Sequence, residues 1–157
     1  MGVSGTGKST IGQLLAGRLG ATFIDGDDLH PQANIEKMAS GQPLNDEDRR
    51  PWLQLVGETL VANKSNGCVI ACSALKKKYR DAIRAAAPDT VFIHLHGQKS
   101  VIAERMNSRP GHFMPASLLD SQFGILEPLE ADEVGKVIDI EKSVDEIVKE
   151  STALFAR

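Results

Sequence analysis

Cysteine is scarce: the 157 residues hold two, Cys68 and Cys72, in one apolar run. Two thiols so placed do not make a disulfide framework. They read as core packing in a chain that stays in a reducing cytosol. Long hydrophobic runs are also missing. No apolar stretch approaches the length of a membrane span and no signal peptide is visible, so no membrane partner is expected. Excess positive charge is lacking too. The net charge of −3 argues against a general nucleic-acid surface, which needs a basic face. Repeats, low-complexity tracts and linkers are absent, so residues 1–157 are expected to form one domain. What is present, 41% apolar and 25% charged residues, is ordinary for a globular chain long enough to bury a core.

Apolar spacing and chain breakers give the elements. Helices are expected over 8–19, 31–40, 46–63, 76–87, 100–107, 115–126 and 143–155. Short apolar runs over 21–25, 68–73, 90–95 and 136–140 read as strands. This alternation predicts an α/β fold with a parallel sheet. In such sheets ligands bind at the carboxyl ends of the strands.

Four segments carry chemistry. The first is Gly2-x-x-x-x-Gly7-Lys8-Ser9, a phosphate-binding loop. Its glycines let the backbone N–H groups of Ser4, Gly5, Thr6 and their neighbours turn inward around phosphates. The helix that follows aims its positive end at the same place. Lys8 would reach the β- and γ-phosphates, Ser9 would ligate Mg²⁺, and Thr10 starts the helix beside them. The second is Asp25-Gly-Asp27-Asp28-Leu-His30, directly after a strand. Carboxylates there suit orienting Mg²⁺ or accepting the proton of an attacking hydroxyl. Asp28 reads equally well as a cap for the next helix.

The third segment runs from Cys68 to Arg80, where a buried strand empties into a basic helix start. Cations in a first turn oppose the helix dipole, a cost that a bound anion offsets. Lys76 and Arg80, one turn apart, are therefore candidate ligands for a substrate anion. Lys77 and Lys78 read as a solvated face. In the fourth segment, Arg105 and Arg109 lead into a Pro-Gly breaker. They read as part of a segment that closes over the triphosphate and stabilises its charge. A helix C-terminus favoured by arginine is the alternative. Trp52 reads as core or cleft wall, and His94 and His96 as structural.

Together these stretches resemble the bacterial gluconokinases of the small P-loop type, relatives of shikimate and adenylate kinases. The likeness lies in GVSGTGKST at 2–10, FIDGDDLHPQANIEKMASGQPLNDEDRRPWL at 23–53, CSALKKKYRD at 72–81 and RPGHFMPASLLDSQFGILEPLEADE at 109–133. The resemblance implies transfer of phosphate from ATP to D-gluconate, giving 6-phospho-D-gluconate. It also implies a Mg²⁺ requirement, a cytoplasmic setting and a homodimer. Lys76 and Arg80 would meet the gluconate carboxylate. Asp27 would bind its hydroxyls or activate the attacking one, with Asp25 nearer the metal. His30, Arg49 and Ser73 would be further substrate contacts. Residues of about 30–60 would form a helical flap over the sugar acid, and about 105–130 a lid over ATP that includes His112. Another small-molecule kinase and a nucleotide-binding switch remain as alternatives.

One departure stands out. A phosphate-binding loop ordinarily follows a strand, whereas here it begins at Gly2. The expectation is a five-stranded sheet whose first strand, the central one, lies upstream of Met1. Without it, two neighbouring strands would lose backbone pairing in a buried place.

Overall fold

A computed structural model describes residues 1–108 and 116–155. Its elements run α1 (Lys8–Leu19), β1 (Thr22–Asp25), a 3₁₀ turn (Gly26–Leu29), α2 (Gln32–Ala39), α3 (Asp46–Ala62), β2 (Cys68–Ala71) and α4 (Lys77–Ala86). They continue with β3 (Phe92–His96), α5 (Lys99–Asn107), α6 (Ala116–Ile125), β4 (Gly135–Asp139) and α7 (Val144–Ala153). Local chemistry explains the boundaries. Gly20 ends α1 in the left-handed conformation. Asn45 and Asp48 form a capping box that opens α3, and Ser143 and Glu146 form another that opens α7.

The strands pair in parallel, β1 with β2 from Thr22↔Cys68 to Asp25↔Ala71, and β3 with β4 from Phe92↔Gly135 to His96↔Asp139. The fold class is the expected α/β one, but the described strands form two separate pairs. Met1 and Gly2 lie between them. The Met1 amine donates to Ile93 O at 2.6 Å. Leu95 N–H donates to Met1 O at 2.9 Å, and Gly2 N–H donates to Ser73 O at 3.1 Å. Two residues span roughly 7 Å at strand rise, too little to pair along the whole of β2 and β3. An apolar groove of about 520 Å³ follows, lined by Val69, Cys72, Ile93 and Leu95 among others. That lining suits packing rather than phosphoryl transfer.

Two cores flank the strands, as a three-layer arrangement requires. One joins Ile11, Ile102, Ile138 and Ile147 of α1, α5, β4 and α7. The other joins Trp52, Val56, Ile83 and Phe92 of α3, α4 and β3. The carboxyl ends of β1 and β2 therefore open beside the phosphate loop, between helices held from both sides.

Candidate active site

Gly2, Gly5 and Gly7 have positive φ values of 142°, 84° and 89°. This is backbone that other residues adopt at a cost, and it is the conformation a phosphate-cradling loop requires. Gly7 forms the N-cap of α1. Thr6 is buried and its Oγ1 donates to Val3 O at 3.2 Å. Lys8 Nζ folds back to donate to Gly2 O at 2.9 Å and Val3 O at 3.0 Å. Burial lowers the Lys8 pKa, and nearby negative charge, including Asp27 and Asp25, acts the other way. Both carboxylates thus lie within electrostatic reach of the ammonium. Ser9 and Thr10 stand exposed at the helix start.

The acidic turn leaves β1 through Gly26, where a Cβ would lie 2.6 Å from Ala71 O of the neighbouring strand. No larger residue allows that approach. Asp25 caps the turn, its Oδ1 accepting from Asp27 N–H at 3.0 Å. The cap holds Asp27 at a fixed angle and leaves Asp25 a second oxygen. Among the described residues, no group of three His, Cys, Asp or Glu is placed to hold a metal. A Mg²⁺ carried largely by phosphate oxygens and water does not need such a group, and the donors Ser9 and Asp25 are both hard oxygens suited to it.

The wall beyond Asp27 is aromatic. His30 stacks on Trp52 with centroids 4.2 Å apart and planes 16° apart. Trp52 Nε1 donates to Gly26 O at 2.7 Å, tying α3 to the acidic turn. Asn34 Nδ2 lies 3.2 Å from His30 Nδ1 and also donates to Asp48 O at 2.9 Å. The amide donor makes Nδ1 an acceptor and leaves the imidazole proton on Nε2. Burial lowers the His30 pKa, Asp27 opposes this, and Arg49 adds to it.

Arg49 continues the network. It donates to Leu44 O at 2.7 Å and to Tyr79 Oη at 3.3 Å, and its guanidinium lies 5.3 Å from the Tyr79 ring centre. Lys76 Nζ lies 5.5 Å from the same centre and 3.7 Å from Asp46 Oδ1. Tyr79 Oη donates to Asp46 Oδ1 at 2.6 Å, and Lys78 binds the other oxygen. Burial, with the Asp46 contact behind it, pushes the Tyr79 pKa up to about 12, so the hydroxyl keeps its proton. Lys8 is thus coupled by charge to Asp25 and Asp27, His30 to Asp27 and Arg49, and Arg49 and Lys76 meet at Tyr79. Ser73, two residues after β2, touches the phosphate loop through its carbonyl, which accepts from Gly2 N–H.

Comparison with known proteins decides what this surface belongs to. A family model described as shikimate kinase matches residues 4–123. The thermoresistant gluconokinase of Escherichia coli K12 is 48% identical, across 94% of this chain and 86% of its own length. A Gluconobacter oxydans gluconokinase is 47% identical, across 96% and 85%. The chain belongs to the gluconokinase family. Among solved structures, a gluconokinase from Sinorhizobium meliloti 1021 aligns with a TM-score of 0.89 at 48% identity, covering 100% of this chain and 89% of that one. Membership makes the protein a P-loop kinase, a phosphotransferase that uses ATP.

Within that family frame, one expected ligand is out of place. Arg80 is completely buried and cannot meet a substrate anion. Its Nε and Nη2 donate to Glu133 at 2.7 and 3.0 Å, and its remaining bonds go to the carbonyls of Ala74, Leu75 and Pro128. Lys77, expected on a solvated face, contacts Glu130 and Asp132 at 3.1 and 3.2 Å. Arg105 donates to Ile140 O at 2.9 Å, a contact with the loop after β4. Arg109 and His112 lie outside the described residues. Cys72 is buried, its thiol pushed up to about 11 by burial, and it behaves as core. Trp52 fits its reading as core or cleft wall, whereas nothing in the local sequence singles out Asn34, Asp46 and Tyr79, since the Asn34 bond to Asp48 and the Tyr79 bond to Asp46 span 14 and 33 residues.

Proposed function

We propose that the protein transfers the γ-phosphoryl group of ATP to the 6-hydroxyl of D-gluconate, giving ADP and 6-phospho-D-gluconate. One observation carries this reading. Asp25 and Asp27 lie close enough to the phosphate-loop lysine to act on its charge, His30 feels both Asp27 and Arg49, and Arg49 and Lys76 share the Tyr79 ring. A polyol with a terminal carboxylate fits that polarity, hydroxyls to the acids and carboxylate to the cations. Acidic groups at the transfer point disfavour a phosphorylated acceptor such as a nucleoside monophosphate. The name shared by the relatives supports the same substrate.

In this reading Lys8 and the N–H groups of Gly5 to Thr10 hold the β- and γ-phosphates. The substrate O6 bonds to the γ-phosphorus as the bond to the β–γ bridging oxygen breaks and ADP leaves. Asp27 positions the hydroxyl and accepts its proton. Ser9 and Asp25 would hold Mg²⁺, which supplies charge neutralisation across the phosphates when bound. His30, Ser73, Arg49 and Lys76 orient the acceptor. Residues 30–60 act as its flap and 105–130 as the nucleotide lid, with Arg105, Arg109 and His112, the whole chain forming one kinase domain. The resemblance also carries a homodimer and a cytoplasmic setting. No described helix is long and apolar enough to cross a membrane.

Incubation with ATP, Mg²⁺ and D-gluconate, followed by ³¹P NMR, tests the reaction. A new phosphomonoester coupled to the C6 protons is expected. ATP consumption without that signal would overturn the assignment.

A further inference from the structure

A loop with three glycines at positive φ has little stiffness of its own. To bind phosphate without first paying an ordering cost, it must be anchored from elsewhere. Its internal anchors are Thr6 Oγ1 and Lys8 Nζ on the Val3 carbonyl. Ser4 and Gly5 have a different support. Gln122 of α6 accepts the Ser4 N–H on Oε1 at 2.7 Å and donates from Nε2 to Ser4 Oγ at 3.0 Å. A single amide thus fixes both the peptide plane and the side chain of Ser4, across 118 residues of sequence. On the other flank Gly5 meets α5 so closely that a Cβ there would lie 2.7 Å from Met106 Cγ.

We infer that Gln122 is a positioning residue for the nucleotide: its amide clamps Ser4, and so keeps the N–H groups that follow turned toward the phosphates. The two bonds occupy the Ser4 N–H and hydroxyl, so in this structure the Ser4 N–H, expected to turn toward phosphates, is given to Gln122 instead. If the amide is lost, Ser4 rotates and the glycines on its C-terminal side follow. The inference rests on nucleotide binding at this loop, not on the identity of the acceptor.

Gln122→Leu keeps the bulk and removes both bonds. Because Gln122 is only half-buried, the variant is expected to fold with a melting temperature close to the parent. Calorimetric titration of the full chain with a non-hydrolysable ATP analogue and Mg²⁺ should show affinity weakened about tenfold, the size expected for two lost hydrogen bonds. The KM for ATP should rise in parallel, while the KM for the acceptor stays within about twofold, a split that a general structural defect would not produce. Ser4→Ala in the Gln122→Leu background should weaken the nucleotide less than it does alone. Unchanged analogue affinity in Gln122→Leu, equal weakening of both substrates with a lowered melting temperature, or strict additivity with Ser4→Ala would each overturn the inference.

Discussion

Arg80 and Glu133 form a two-bond ion pair with side-chain exposures of 0% and 1%. The arginine reaches over to hold the carbonyls of Ala74 and Leu75, and Ala74 has a left-handed φ of 45°. Glu133 also accepts from Arg84 and from Glu130 N–H, both at 2.8 Å. This pair therefore fixes the bend between β2 and α4 that carries Ser73 and Lys76.

Removing one partner leaves a buried charge alone. Arg80→Met or Glu133→Leu should each cost about 3–5 kcal/mol in urea unfolding, and the double variant should cost less than the sum. If Arg80 served the substrate instead, Arg80→Lys would raise the gluconate KM at unchanged stability.

The same pair sets an acid limit. Burial raises the Glu133 pKa, but the bonds from Arg80, Glu130 N–H and Arg84 outweigh it and hold the carboxyl at about 2, below its ordinary 4.5. A depressed acid contributes stability that is complete above the unfolded value and is lost as pH falls through the folded one. Urea midpoints should therefore drop between about pH 4.5 and 2. Glu133→Leu should flatten that limb.

Much of this was legible in the sequence, and the reason differs from element to element. The α1 span agrees with its apolar spacing and its closing glycine, both local signals. The phosphate loop is legible because its chemistry requires fixed residues at fixed spacing. Arg80 misleads because a cation one turn into a helix looks like an anion ligand. Its place beside Tyr79 and three residues before Ile83, on the buried stripe of α4 that runs on to Ala87 just past the helix end, was the available signal. Its partner Glu133 lies 53 residues away, and no local pattern announces such a pairing. Gln122 escapes for the same reason, and although Trp52 reads as wall and His30 as contact, no local pattern announces their stacking on one another.

The acidic turn makes a kinetic prediction. Asp27→Asn keeps the shape and the Asp25 cap while removing the carboxylate. Turnover should fall at least about 100-fold, in the range of general base catalysis, with nucleotide affinity preserved. A protein that only switches on nucleotide binding would be indifferent. Parallel single-turnover and nucleotide-titration experiments separate the two.

The facing edges of β2 and β3 make a prediction about stability. Burial lowers the Met1 amine to about 5 from its ordinary 8.0. Between those values the unfolded chain binds a proton that the folded one does not, so stability rises with pH from about 5 to 8. An apolar extended segment of about five residues appended before Met1 would move the amine away and fill the groove between the strands. The melting temperature should rise by at least about 4 °C, and the slope between pH 5 and 8 should flatten. A scan of both forms by differential fluorimetry checks this. Equal curves would show that the groove does not take a strand.

Acceptor choice tests the central claim most directly. Coupled ADP release should be measured with D-gluconate, shikimate, nucleoside monophosphates and neutral sugars at saturating ATP and Mg²⁺. D-gluconate should give a kcat/KM at least about 100-fold above every other acceptor, a margin that requires paired polar groups in the site. No stimulation by gluconate, or a higher kcat/KM for another acceptor, would contradict it.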